Sequence, residues 1–166
     1  MKNKIMCRFL LAIDISLPGF SASAQQGAIR FSNNAFKQVI TTDKKGNKQI
    51  DYVEPKLVLP GDVILYEIEF ENISHDAISN IVINNPIPNN SKYREGSASG
   101  VSTDITFSVD GKHFKKAEAL TVKDKMGKSW LAKPEAYSAI RWVYKKALKP
   151  GEKSKVSYKT EIRKPQ

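Results

Sequence analysis

An all-β chain, folded as an antiparallel immunoglobulin-like β-sandwich of about seven to nine strands with no disulfide, is what this sequence predicts. Three observations carry the prediction. Apolar and polar residues alternate with period two in one segment after another. Pro-Gly and Asp-Gly pairs punctuate those segments, and no window sustains helical periodicity between caps. The 166 residues suffice for one domain with a real core rather than two.

The chain opens with Lys2, Lys4 and Arg8, followed by the mostly apolar FLLAIDISLPGF and the small-x-small site Ala22-Ser23-Ala24 ahead of Gln25. This three-part pattern reads as a secretory signal peptide over 1–24, and hence as a secreted or periplasmic protein. Asp14 interrupts the apolar part, and a buried N-terminal strand is the competing reading. The run is too short to span a bilayer, and no later stretch approaches the ~20 apolar residues a span needs. Cys7 lacks the small residues that a lipoprotein attachment site has before it. As the single cysteine, it would leave with the signal. That excludes disulfides, cysteine nucleophiles and thiolate metal sites, so the core alone must hold the domain. Such economy is commoner in bacterial envelope proteins than in small animal secreted domains.

Residues 25–57 form an N-terminal extension, part of the same globular domain, in which 36–42 and 49–53 flank the polar hairpin tip DKKGNK. The sandwich proper occupies 58–166. The turn Leu59-Pro60-Gly61-Asp62 launches DVILYEIEFEN, with Ile64, Tyr66, Ile68 and Phe70 on one face and Glu67, Glu69 and Glu71 on the other. NIVI follows, and then NNPIPNNSKY, where Pro86 and Pro88 remove backbone donors and stop the strand. Ile87 points inward as a plug, and Tyr93 closes the loop over the core. DITFSVDG aligns Ile105, Phe107 and Val109 before an Asp110-Gly111 hairpin turn. Residues 115–126 fit a turn or two of helix, or a loop with a short strand. AIRWVYKK sets Ile140, Trp142 and Tyr144 on one face, and a second Pro-Gly turn, LKPGE, leads into KSKVSYKTEI, so that the two pair as the last hairpin. The expected core is Ile64, Tyr66, Ile68, Phe70, Ile81, Ile83, Ile105, Phe107, Trp142, Tyr144, Val156 and Tyr158, with Trp142 its largest member.

The separated motifs L-x-L-P-G-D-V-I-x-Y-x-I-x-F-x-N, N-I-V-I-N-N-P-I-P, Y-x-x-G-S, F-S-V-D-G, I-R-W and L-K-P-G-E occur in that order. In this the chain resembles the bacterial "conserved repeat" modules of domain-of-unknown-function family eleven (DUF-eleven) from Val58 to about Ile162. The resemblance implies an extracytoplasmic immunoglobulin-like module of secreted and cell-surface proteins, often arrayed in tandem, with no established catalysis. One departure stands out: Asn85 occupies the place where the family usually has aspartate before its first proline. A charge-assisted bond or bound cation at that aspartate would be weakened here.

Catalytic patterns are absent. Gly96-Ser97-Ala98-Ser99-Gly100 has alanine where a nucleophile elbow needs serine, and Ser74-His75-Asp76 are too close in sequence to form a relay. His75 and His113 sit in predicted loops without zinc-ligand spacing. Asp104, Asp110, Glu118 and Asp124 cluster only loosely for calcium. The Glu67–Glu69–Glu71 stripe reads as a solvated strand face rather than a glycosidase pair. No buried trio is singled out for a Lys–Asn isopeptide bond, and no cofactor or metal is expected. The balance of 27 Lys+Arg against 17 Asp+Glu gives a net charge of +10. It stays strongly basic without the signal and suits anionic partners. Lysine outnumbers arginine, which disfavours sequence-specific nucleic-acid reading. Lys145, Lys146, Lys149, Lys153, Lys155 and Lys159 are the candidate interaction patch, for an anionic envelope polymer or an acidic partner surface. Exposed lysines that block edge-to-edge pairing are the alternative. The expected function is therefore non-catalytic: an exported module for protein–protein or envelope contacts. A carbohydrate- or polyanion-binding module using loops such as 84–100 is the second reading.

Overall fold

The computed structural model describes residues 28–164, so the signal peptide expected over 1–24 lies outside the described residues. Among the described residues, eleven antiparallel strands and two 3₁₀ turns, Ala117–Ala119 and Pro134–Ala136, make up the regular structure. The first sheet contains β1 (Ile29–Thr42), β2 (Lys48–Val53), β3 (Val63–Asn72), the three-residue β5 (Ser91–Tyr93), the two-residue β6 (Ser99–Gly100) and β11 (Lys153–Ile162). Its order is β2-β1-β3-β11-β5, with β6 also paired to β11. The second sheet contains β4 (Val82–Pro86), β7 (Thr103–Ser108) and β10 (Ala139–Tyr144), ordered β4-β10-β7. A separate small hairpin joins β8 (Thr121–Lys123) to β9 (Ser129–Leu131).

The two main sheets pack face to face. Ile68, Phe70, Val156 and Tyr158 of the first form one cluster with Ile83, Phe107, Ile140, Trp142 and Tyr144 of the second. Phe70 meets Tyr144 edge-on at 5.5 Å between ring centroids, and Trp142 meets Tyr158 at 6.0 Å. Trp142 is fully buried and is the largest such side chain. Every residue of the expected core is buried or packed against that cluster. The alternation is the cause: β3 and β11 each turn one apolar face inward and an acidic or basic face outward.

One expectation is corrected. β10 and β11 are not a hairpin, because they belong to different sheets. In antibody constant domains the last two strands share a sheet. Here the last strand lies beside β3 in the first sheet, and β10 lies between β4 and β7. The crossover is enforced by Leu148, which is fully buried and bridged to Ile78 by reciprocal backbone bonds of 2.8 and 3.0 Å. The chain then turns at Pro150-Gly151 (Gly151 φ 72°) into β11. The two Pro-Gly turns share one device: a following carboxylate accepts an amide at the turn's start, Leu59 N–H to Asp62 Oδ2 at 2.7 Å and Lys149 N–H to Glu152 Oε2 at 2.9 Å.

Candidate interaction surfaces

The six lysines of the expected patch do not share one surface. Lys145 and Lys146 follow β10 out of the second sheet, Lys149 lies in the crossover turn, and Lys153, Lys155 and Lys159 alternate along the outer face of β11. On that face they meet the glutamates of β3. Lys153 Nζ is 3.3 Å from Glu69 and 3.8 Å from Glu71, and Lys155 Nζ is 3.0 Å from Glu67. The acidic stripe and the β11 lysines are thus one interleaved, largely neutral surface. Lys145 pairs with Asp104 at 3.0 Å, and Lys159 Nζ lies 5.2 Å from the centre of the Tyr52 ring. Sequence alone could not show this, because β3 and β11 become neighbours only through the crossover.

A second surface is the β1–β2 ribbon. β3 pairs with β1 only from Ile29 to Lys37, while β2 pairs with it from Lys37 to Thr42. The distal half of β1 therefore has β2 on one side and no strand on the other among the described residues. Ile40 and Ile50 face each other directly across this ribbon, 69% and 56% exposed. Tyr52 and Val53, then Leu57, Val58 and Leu59 beyond β2, continue the exposed apolar run. Lys37 anchors the base through Asp62 at 2.6 Å and the Leu57 carbonyl at 3.2 Å. This pairing holds the Asp62 carboxyl below its ordinary value, with the Leu59 amide adding to it. The tip is fixed by Asp43, which accepts the Lys45 and Asn47 amides at 2.8 Å each, while Gly46 (φ 85°) takes the left-handed position.

The third surface is a groove of about 350 Å³ between the β5 edge of the first sheet and the β7 edge of the second, lined by Tyr93, Glu95, Ala98, Ile105, Phe107 and Tyr137 among others. Loop 84–100 supplies part of that lining, and Tyr93 closes over the core as expected, accepting the Ala98 amide on its hydroxyl at 3.0 Å. The Tyr93, Phe107 and Tyr137 rings pack together with centroids 4.8 to 5.7 Å apart. Burial raises the Tyr137 phenol above its ordinary value, and the negative charge of Glu95 raises it further. Tyr137 belongs to no periodic strand, and for that reason the sequence did not point to it.

Asn85 also finds its role. It donates to the Tyr158 hydroxyl at 2.6 Å and to the Pro86 carbonyl at 3.0 Å, tying the edge of the second sheet to the interior strand β11 of the first. Ile87 is buried, and its amide donates to the Ser138 carbonyl at 2.8 Å, so NNPIPNNSKY is a strand end with an apolar plug. His113 Nδ1 lies 2.6 Å from Asp110 Oδ2, on the exposed turn after β7. Among the described residues no group of three His, Cys, Asp or Glu side chains is placed to hold a metal ion. No helix among them is long and apolar enough to cross a membrane. No protein-family model, curated protein or solved structure matches this chain.

Proposed function

We propose that the chain is an exported, non-catalytic immunoglobulin-like module of the bacterial envelope, of the DUF-eleven kind, which binds a protein partner by strand pairing along the β1–β2 ribbon. The carrying observation is the ribbon's open edge, where the exposed Ile40–Ile50 pair lies beside unpaired backbone. Edge strands template pairing with another chain unless charge, proline or a bulge blocks them. Within β2, Ile50, Tyr52 and Val53 give the edge exposed apolar side chains, with Lys48 at its start and Asp51, held by Thr41, between them. An extended partner segment would gain main-chain bonds there, with alternate side chains for specificity.

The experiment is affinity capture from an envelope extract with three chains: wild type, Ile50→Lys and Lys146→Glu. A partner held by wild type and Lys146→Glu but released by Ile50→Lys supports edge pairing. Retention by Ile50→Lys, or loss with Lys146→Glu alone, rejects it in favour of a charge-driven contact. A second reading, carbohydrate binding, is favoured by the aromatic-lined groove. It requires that Ala98→Leu, which fills the groove, abolish retention on a glycan while leaving partner capture intact.

A further inference from the structure

The β8–β9 hairpin stands outside the two main sheets; Val122 packs against the core cluster, but several of its other apolar side chains are exposed. Leu120 and Ala132 are buried and joined by an Ala132 N–H to Leu120 carbonyl bond of 2.8 Å, which fixes the base of the hairpin in the core. Beyond that clamp, Met126 is 89% exposed, Trp130 51% and Leu131 60%. Val122 pairs with Trp130 and Thr121 with Leu131, so Trp130 and Leu131 lie on opposite faces of the ribbon, with Met126 at its tip.

Four lysines, Lys123, Lys125, Lys128 and Lys133, surround these three side chains, and the only carboxylate between them is Asp124. Its oxygens are already engaged. Asp124 accepts the Met126 and Lys128 amides at 2.9 and 3.0 Å and the Trp130 indole N–H at 2.9 Å. None of the four lysines makes an ion pair among the described residues. Lys128 lies 4.1 Å over the Trp130 ring. The tip is thus a preformed turn carrying a held indole, two further apolar side chains and a net positive charge of four lysines against one aspartate.

We propose that this hairpin docks on an anionic lipid surface, placing Met126, Trp130 and Leu131 in the interfacial layer and the four lysines against headgroup phosphates. Val122, paired with Trp130, packs against the core, so the exposed Trp130, Leu131 and Met126 form an uneven surface that a fluid interface can follow and a flat partner face cannot cover together. Tryptophan and lysine are the side chains that bridge apolar and wet layers, one through its amphipathic ring and the other through its long stem. The charge complementarity favours lipid phosphate over a neutral membrane. A nucleic acid would leave Met126 and Leu131 without a partner. This docking does not depend on strand pairing at the β1–β2 ribbon.

The test uses full-length chains and vesicles of equimolar phosphatidylglycerol and phosphatidylcholine. Trp142 is fully buried, so of the two tryptophans Trp130 alone reports on the surface. Adding vesicles should shift the Trp130 emission to the blue, and the shift should vanish in Trp130→Ser. Each lysine near such a surface is worth about fivefold in partitioning. Lys125→Ser/Lys128→Ser should therefore weaken binding about twenty- to thirtyfold at an unchanged melting temperature. The N-terminal residues are common to all variants and cancel in the comparison. Equal binding of the double variant, or no emission shift with wild type, overturns the proposal. So does competition by soluble heparin that binds equally well without the shift, since that would mark a polyanion site.

Discussion

Asn72, at the end of β3, is the fully buried polar residue with the most to lose. Its side-chain amide donates to the Asp76 and Leu148 carbonyls at 2.7 Å each, and its oxygen accepts the Ser74 amide at 2.9 Å and hydroxyl at 2.7 Å. It therefore locks the Ser74–Asp76 loop to the crossover. Asn72→Ala strands the Ser74 amide and leaves the Leu148 carbonyl with the Ile78 amide as its one remaining donor, and should cost about 2–3 kcal/mol in urea unfolding. Asn72→Asp should be worse at neutral pH, because a carboxylate has no proton to donate to two carbonyls. At the Asn85–Tyr158 bond the expected coupling is smaller. Burial holds the Tyr158 phenol far above its ordinary value, so it stays neutral and accepts from Asn85. A double-mutant cycle with Asn85→Ala and Tyr158→Phe should give about 1 kcal/mol, and a value near zero would show that the sheets are held by apolar packing alone. Gly100 owes its place to close approach: a Cβ there would lie 2.8 Å from Val156 and 2.6 Å from Thr103. Val156 is buried and cannot move aside, so Gly100→Ala should lower stability by about 1–3 kcal/mol.

Local chemistry made the strands readable, and long-range order made the surfaces unreadable. Period-two alternation located β3, β7, β10 and β11, and the Pro-Gly pairs located the turns before β3 and β11. The partner of β11 depends on which sheet the chain enters after Leu148, and nothing within a strand encodes that. The mistaken last hairpin followed, and with it the picture of lysines free of the β3 glutamates. The β8–β9 hairpin was ambiguous for another reason: its strands have three residues each, too few for a period to declare itself. A usable signal was present in the turn. Asp124-Lys125-Met126-Gly127 repeats the Asp-Lys-x-Gly of residues 43–46. Both turns fold alike, with the aspartate accepting the amides two and four residues on and the glycine at φ 80° and 85°. Alanine at either glycine meets no clash but must adopt the left-handed conformation. Gly46→Ala and Gly127→Ala should each cost about 1 kcal/mol. Hydrogen exchange should show the loss confined to the substituted hairpin, and equal loosening of both from one substitution would contradict their independence.

Acid stability gathers these turns into a property of the whole molecule. Five aspartates sit below the ordinary value of 3.8, each chiefly for one partner: Asp43 for Asn47, Asp62 for Lys37, Asp104 for Lys145, Asp110 for His113 and Asp124 for Trp130. A depressed folded-state value means that the unfolded chain binds more protons as the pH drops past 3.8. Stability from these bonds is therefore complete above that point and is lost as the pH falls through the lower folded-state values. All five lie at the surface, so each contributes little and solvent screens it. Their loss should loosen the two Asp-Lys-x-Gly hairpins and the base of the β1–β2 ribbon before the core. A second force acts in the same direction. Protonation adds positive charge to a chain already at +10, and self-repulsion grows. Salt separates the two effects, because it screens repulsion between distant charges but does not restore the hydrogen bonds that a carboxylate accepts once it is protonated. The melting temperature should be level from neutral pH down to about 5 and fall below about 4, with only part of the fall recovered in high salt. Asp62→Asn, which removes one titrating group and its pairing with Lys37, should start lower at neutral pH and fall less. Full recovery by salt would assign the acid sensitivity to net charge alone and leave the aspartate turns without a part in it.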